Sequence, residues 1–426
     1  MSERFVIEGL AGERRLRGSI SVRGAKNAVL KSLAAALLFD DEVVLSNVPE
    51  IEDVERMSEL LRGLGATVVK KEHGVFIVDP TNVSSSDLDD AAAKRLRASI
   101  VLAGPLLARS GRVSFPHPGG DVIGPRPINL FLDGFKKMGC DIKEESGRYV
   151  IEAKQGLRGA DIFFMFMSVT ATETLMMAAT GARGTTTLKN AAMEPEIVGL
   201  AKFLNQCGAK ISGAGTPTIT IEGTGLLHAN GLVWETVPDR IEAGTFLLLG
   251  VLAAEEITIT DCNPLHIEML IELLRESGVS IDTTASTIVV RGTGAGSGMQ
   301  VRTHEYPGFA TDLQPPMVVY LTQAKGESTV FESIWGGRLA YTEDLVRMGA
   351  NIKQWNPLQI TVEGPTPLIG RELESPDIRA GLAFLMAGAI ASGTSTLDHI
   401  YHIDRGYERI EDRLRPLGLN IRREEA

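Results

Sequence analysis

With 426 residues, 44% of them hydrophobic and 23% charged, the chain has the composition of a globular protein and is too long for a single core, so two or three domains are expected. A formal charge of −11 argues against a general nucleic-acid or anionic-membrane binder, although a few basic side chains converging in one cleft still suit a small anionic substrate. No apolar run reaches the ~18 residues of a membrane span, the start MSERFVIEGLAGERR has no signal-peptide core, and Cys140, Cys207 and Cys262 lack CxxC or metal-ligand spacing, so a cytosolic protein without metal, cofactor or disulfide is expected.

In chain order, the strand RLRGSISV is followed by RGAKNAVLKSLAAALL, a helix apolar on nearly every face with Lys26 and Asn27 at its start. A β segment, EVVLSNV, and an amphipathic helix ending LLRGLG come next. Gly65 suits the left-handed position that stops a helix before the alternating run ATVVKKEHGVFIV. The pattern then recurs. RASIVLAGPLLA, ATETLMMAATGA, AGTFLLLGVLAA, LQPPMVVYLTQA and RAGLAFLMAGAIA are further apolar helices, each followed by a β segment. The helix-stopping glycine returns at Gly139, Gly208, Gly278, Gly349 and Gly418, with spacings of 74, 69, 70, 71 and 69 residues.

Helices hydrophobic all round need cover on every side. The expected fold class is therefore α/β: six repeats of about 70 residues with sheets outside and helices inside, three to each of two inside-out barrels, or prisms. The run HANGLVWETVPDRIEAG separates three repeats from three. The expected domains are residues 1–25 with 238–426, and 26–237, the strand RLRGSISV joining the C-terminal half. Two chain crossings make a hinge, and a cleft between domains is the natural place for a ligand.

The informative residues are those that interrupt the apolar helices near their starts, where unpaired N–H groups favour anions. Lys26 and Asn27 open the first repeat, Lys94 and Arg97 the second, the hydroxyls from Ser168 to Thr174 the third, PDRIEAGT the fourth, YPGFATDLQ the fifth and SPDIRAG the sixth. Each also has a plain structural reading: helix caps for Ser168 and Asp312, a solvated first-turn charge for Lys26, an ion pair between Arg240 and Glu242. Met176 and Met177 read as core. The stretch PGGDVIGPRP is a loop presenting Asp121 and Arg126, since its glycines permit positive φ and its prolines stiffen the chain around the arginine; a solvated surface turn is the alternative. Arg405, in HIYHIDRGYERIEDRL, occupies the corresponding place in the last repeat.

Together, RGAKNAVL, RASIVLAGPLLAR, PGGDVIGPRPINL, SVTATETLMMAA, NAAMEPEI, PDRIEAGTF, PGFATDLQ and IYHIDRGYERIEDRL resemble the UDP-N-acetylglucosamine 1-carboxyvinyltransferase family over essentially the whole chain. That resemblance implies an enolpyruvyl transfer at the start of peptidoglycan precursor synthesis, with phosphoenolpyruvate and UDP-N-acetylglucosamine as substrates. It implies that Lys26, Arg126 and Arg405, with Arg97 close by, clamp the phosphate and carboxylate of phosphoenolpyruvate. Asp312 resembles the base acting on the sugar 3-hydroxyl, and Asn27 a contact to the sugar. Pro127, Ile128, Asn129 and Leu130, with Ser168 and Val169, resemble uridine and diphosphate contacts. Ile334 and Arg338 fall in the segment that replaces the family's IFENRF, and Asp377 and Arg379 resemble a pair supporting closure and catalysis. The loop from about 112 to 126 is expected to close over bound nucleotide sugar.

Several positions depart from the family pattern. Asp121 stands where most members have the cysteine that donates a proton and is alkylated by fosfomycin, so the resemblance implies a working enzyme indifferent to that drug. SFPHPGG replaces SLPGG and lengthens the loop by two residues. Asn129, Thr170 and Met193 replace the more usual aspartate, glycine and arginine, and the first two border the nucleotide pocket. Two rivals follow: an enolpyruvyl transferase with another nucleotide acceptor, and a non-catalytic nucleotide-sugar sensor on the same scaffold.

Overall fold

A computed structural model describes residues 3–119 and 127–425. Within them the chain divides into two compact units: a C-terminal unit of residues 3–23 and 238–425, and an N-terminal unit of residues 24–119 and 127–237. Each has its own hydrophobic core.

The apolar helices are buried, as their composition demands. They are Lys26–Ala35, Ala103–Ser110 and Val169–Thr180 in the N-terminal unit, and Arg240–Ala253, Gln314–Leu321 and Ile378–Ile390 in the C-terminal unit. Two of the six begin late. The stretches Arg97–Leu102 and Thr311–Leu313 are 3-10 turns that pass into the α-helices. Pro105 and the Pro315–Pro316 pair lack N–H groups and fit only the first turn of an α-helix, which fixes those starts. Small residues let the helices meet closely: a Cβ added to Gly104 would lie 2.2 Å from the Thr174 carbonyl oxygen, so alanine there would push two core helices apart.

Each unit is walled by three sheets. One repeat shows how they are built. Thr185–Lys189 follows the buried helix Val169–Thr180 and pairs in parallel with Asp161–Phe163, which precedes that helix. The amphipathic helix Pro195–Gln206 stops at Gly208, and the hairpin Lys210–Ser212 and Thr218–Glu222 returns antiparallel onto Thr185–Lys189. In the strand TITIE, Ile219 and Ile221 are wholly buried and the outermost residues face solvent, the alternation of a one-faced strand. The six repeat glycines all adopt the expected left-handed conformation, with φ of 104°, 91°, 101°, 99°, 110° and 105° from Gly65 to Gly418. A β-branched or bulky residue would be strained at any of them.

Strands distant in sequence pair within each unit: Leu16–Ser21 pairs in parallel with Ala254–Thr260 in the C-terminal unit, as expected, and Val233–Glu235 with Val43–Ser46 in the N-terminal unit. One strand was not expected from the sequence: Glu3–Glu8 lies between Thr394–Asp398 and Asn420–Glu425 and completes the last repeat. The second repeat departs too, because its sheet has three strands and the Asp87–Ser114 bridge stands where the others have a fourth. Among the described residues, no helix is long and apolar enough to cross a membrane. The three cysteines are free and buried.

Candidate active site

In the N-terminal unit, the helix carrying Lys26 and Asn27 begins without a side-chain cap. A cation there opposes the helix dipole, and its reason is a partner: the Lys26 ammonium lies 2.7 Å from Asp53, with only 9% and 3% of the two side chains exposed. Asp53 sits in the first turn of Glu52–Gly63, where the dipole favours an acid. Lys26 is therefore a buried, paired cation and not a solvated one. Gly24 brings the chain against Asn47, whose carbonyl oxygen would lie 1.8 Å from an added Cβ.

Arg97 is half-buried and donates to the Pro118 carbonyl at 3.1 Å, at the start of PGGDVIGPRP. Gly119 lies so close to the Lys94 carbonyl that a Cβ would come within 1.6 Å. Asp121 and Arg126 fall outside the described residues. Before them, Arg112–Pro116, inside the span expected to move, is a strand paired with Arg148–Glu152. His117, from the lengthened loop, lies 3.0 Å from Glu144 and edge-on to Tyr149. Beyond them, Pro127 and Ile128 lead into the helix Asn129–Lys137, with Pro127 and Asn129 exposed and Leu130 buried.

The hydroxyl of Ser168 accepts from the Ala171 N–H at 3.2 Å, so it is the cap of Val169–Thr180. Val169 and Thr170 follow, half-buried.

The C-terminal unit gathers a tighter group. Asp312 does not cap its helix, the alternative left open by the sequence. It lies 2.9 Å from Arg338 and 3.0 Å from Arg379, whose side chains are 2% and 6% exposed against 27% for the aspartate. Burial would raise the Asp312 carboxyl, but the charges of Arg379 and Arg338, the Arg338 hydrogen bond and the charge of Arg240 hold it well below the usual carboxylate range. Arg379 also donates to the Tyr407 hydroxyl at 2.8 Å, and burial pushes that phenol up to about 12 despite the guanidinium. Asp377 caps the helix Ile378–Ile390 by accepting from the Arg379 and Ala380 N–H groups, which fixes where Arg379 starts. Glu242 pairs with Arg413 at 2.6 Å, and Arg240 lies over the Tyr306 ring.

Arg405 is buried, 6% exposed, at the end of the short helix Tyr401–Asp404. Its neighbour Asp404 pairs with Arg423 at 2.7 Å, and Arg423 also holds Glu411, so the turn presenting Arg405 is anchored to the strand Asn420–Glu425.

Glu332 is among the buried acids that escaped the sequence reading. Glu332 is wholly buried and accepts from the hydroxyls of Thr303 and Thr311 and from the N–H groups of Ile334 and Trp335, at 2.9 to 3.1 Å. Thr311 in turn accepts from Arg338 at 2.9 Å. Glu332 thus shapes the turn carrying Ile334 and, through Thr311 and Arg338, sets Asp312. Nothing in VFESIWGGR distinguishes this glutamate from a strand-end acid. Glu332→Gln is expected to lose about 2 kcal/mol of stability and roughly tenfold in turnover, because an amide cannot accept all four bonds. Urea unfolding and initial rates check both, and wild-type values in each would remove Glu332 from the site.

The sequence profile of the EPSP synthase (3-phosphoshikimate 1-carboxyvinyltransferase) family matches residues 10–414. A UDP-N-acetylglucosamine 1-carboxyvinyltransferase of Solibacter usitatus (strain Ellin6076) is 43% identical over 424 residues, covering 99% of this chain and 100% of that protein. The protein of the same name from Acidobacterium capsulatum is 42% identical, covering 99% and 96%. Among solved structures, the enolpyruvyl transferase NikO from Streptomyces tendae superposes with a TM-score of 0.87 at 24% identity, over 100% of this chain and 99% of that one. EPSP synthase from Acinetobacter baumannii gives 0.75 at 18%, over the whole of both chains. These two likenesses concern the fold.

Proposed function

Because the chain belongs to the UDP-N-acetylglucosamine 1-carboxyvinyltransferase family of enolpyruvyl transferases, we propose that it transfers the enolpyruvyl group of phosphoenolpyruvate to the 3-hydroxyl of UDP-N-acetylglucosamine and releases phosphate. The observation that carries this reading is Asp312, a carboxylate kept ionised between two buried guanidinium groups and still partly open to solvent.

In this reading Asp312 takes the proton of the 3-hydroxyl as that oxygen bonds to C2 of phosphoenolpyruvate, while Asp121 delivers a proton to C3. The tetrahedral ketal then expels phosphate as C3 gives up a proton and the double bond re-forms. Two guanidinium groups leave Asp312 a weak base, so proton transfer has to accompany C–O bond formation, when the hydroxyl turns acidic, instead of preceding it. Lys26, Arg126 and Arg405, with Arg97, supply the positive charge for phosphate and carboxylate. Lys26 brings its charge to the phosphate from a buried position fixed by Asp53. Asn27 meets the sugar, Pro127, Ile128, Asn129, Leu130, Ser168 and Val169 meet the nucleotide, Ile334 and Arg338 complete the acceptor side, and Asp377 holds Arg379 in place.

A second reading, another nucleotide acceptor, is favoured by the exposed side chains of Phe163, Met165 and Phe166 immediately before Ser168, beside the changed Thr170. Product identity separates the two. Purified protein with both substrates is expected to release phosphate and yield enolpyruvyl-UDP-N-acetylglucosamine by mass spectrometry. Nucleotide-sugar binding without phosphate release would support the sensor instead, and no binding would point to a different acceptor.

A further inference from the structure

Two buried charges in the N-terminal unit have no part in the chemistry above. Lys31, 8% exposed at its side chain, lies one turn beyond Asn27 on Lys26–Ala35. Glu173, with no exposure at all, lies five residues beyond Ser168 on Val169–Thr180. The Lys31 ammonium donates to the Asn27 carbonyl at 2.7 Å and stands 3.2 Å from Glu173. That contact is off-line for a hydrogen bond, and neither Glu173 oxygen accepts an aligned one from the described residues. Burial pushes the Glu173 carboxyl up to about 7 against the pull of Lys31, and Glu196 and Glu194 add to the rise.

Such a pair is a poor source of stability. Two charges taken out of water and incompletely hydrogen-bonded are commonly matched or bettered by an apolar pair of the same volume. The surrounding helices are already built of Ala, Leu, Met and Val, so packing alone would be served by more of the same. What an apolar pair could not do is hold one relative height of the two helices and bind the carbonyl of Asn27. The Lys31 ammonium does the second, and a charge pair is suited to the first.

We infer that Lys31 and Glu173 are positioning residues for the acceptor: by tying the helix that begins at Lys26 and Asn27 to the helix that begins at Ser168 and Val169, they set the spacing at which sugar and diphosphate are held. This rests on the enolpyruvyl-transfer reading, whose own test is product formation by the wild-type protein.

The test compares wild type with the double variant Lys31→Met, Glu173→Leu, which removes both charges and leaves neither orphaned, and with Lys31→Arg, which keeps the cation and its donors. Affinity for UDP-N-acetylglucosamine is read by calorimetry, independently of turnover, together with kcat and the thermal midpoint. The double variant is expected to keep or raise its midpoint, to keep kcat at saturation within about threefold, and to bind the nucleotide sugar about tenfold more weakly, the scale of one hydrogen bond to a charged group. Lys31→Arg is expected to recover most of that loss. A double variant with wild-type affinity overturns the inference, as does a wild-type protein that does not bind the nucleotide sugar. Should the double variant fail to fold, the side-chain ¹⁵N signal of Lys31 in wild type decides: it is expected to shift on saturation with UDP-N-acetylglucosamine, and a signal that stays put overturns the inference.

Discussion

Asp312→Asn is expected to lower turnover by about 10²- to 10⁴-fold, the range over which a positioned acid or base acts. The substitution keeps the shape of the side chain and removes its charge, so the groups around it decide the rest. Arg338 and Arg379 are almost wholly buried and share this one carboxylate, and without it each loses an anion at about 3 Å. Breaking a buried pair from one side costs ~3–5 kcal/mol, less here because Asp312 is partly wet, so about 2 kcal/mol of stability is expected to go at neutral pH. The sign of the pH dependence follows from the low proton affinity of the folded carboxylate. A depressed group adds stability above its unfolded value of about 3.9 and loses it as pH falls toward the folded one, so the gap between variant and wild type is expected to narrow as unfolding is measured at progressively lower pH below 4. The KM for phosphoenolpyruvate is expected to change little, because the clamp residues are untouched. A variant as active as wild type would return Asp312 to a structural role.

The layered architecture was legible because it depends on local requirements. An αL stop after a helix calls for glycine, so six glycines about 70 residues apart announce six helix ends, and all six have φ between 91° and 110°. Helices such as IRAGLAFLMAGAI have no polar face and must be covered, which placed the sheets around them. The strand Glu3–Glu8 was harder to see, because its partners, Thr394–Asp398 and Asn420–Glu425, lie at the other end of the chain.

Of the candidate site, the sequence offered residue types at helix starts and left their partnerships out of reach. Asp312 stood in the position of a cap, and only Arg338 and Arg379, 26 and 67 residues away in sequence, make it something else. A solvated Lys26 stayed open as the plain alternative because its partner Asp53 belongs to the following helix. Glu173 was hidden among the hydroxyls of SVTATET, and its significance comes from being buried beside Lys31, a fact of packing and not of pattern. Glu332 is similar: a glutamate at a strand end is ordinary until four donors converge on it.

The wild-type enzyme is expected to keep its activity through prolonged incubation with fosfomycin, and Asp121→Cys is expected to lose it progressively, with one drug adduct by mass. Asp121 lies outside the described residues, and the chemistry of its side chain decides the outcome. A carboxylate cannot form the thioether through which the family's cysteine is trapped, and the thiols this chain does have are poor substitutes. Cys140 is pushed up to about 12, and Cys207 and Cys262 to about 11, in each case chiefly by burial, so all three stay protonated and shielded at neutral pH. The same exchange should move the pH profile. A proton donor works only while protonated, so the rate falls as pH rises through its pKa. Aspartate starts near 3.9 and must be raised by desolvation to serve, whereas cysteine starts near 8.5, so Asp121→Cys is expected to carry the alkaline limb of kcat to higher pH. Asp121→Asn, with no proton to give, is expected to fall by about 10²- to 10⁴-fold without any such displacement. Time-dependent inactivation of the wild-type protein by the drug would contradict this account. An alkaline limb identical in wild type and Asp121→Cys would mean that another group delivers the proton to C3.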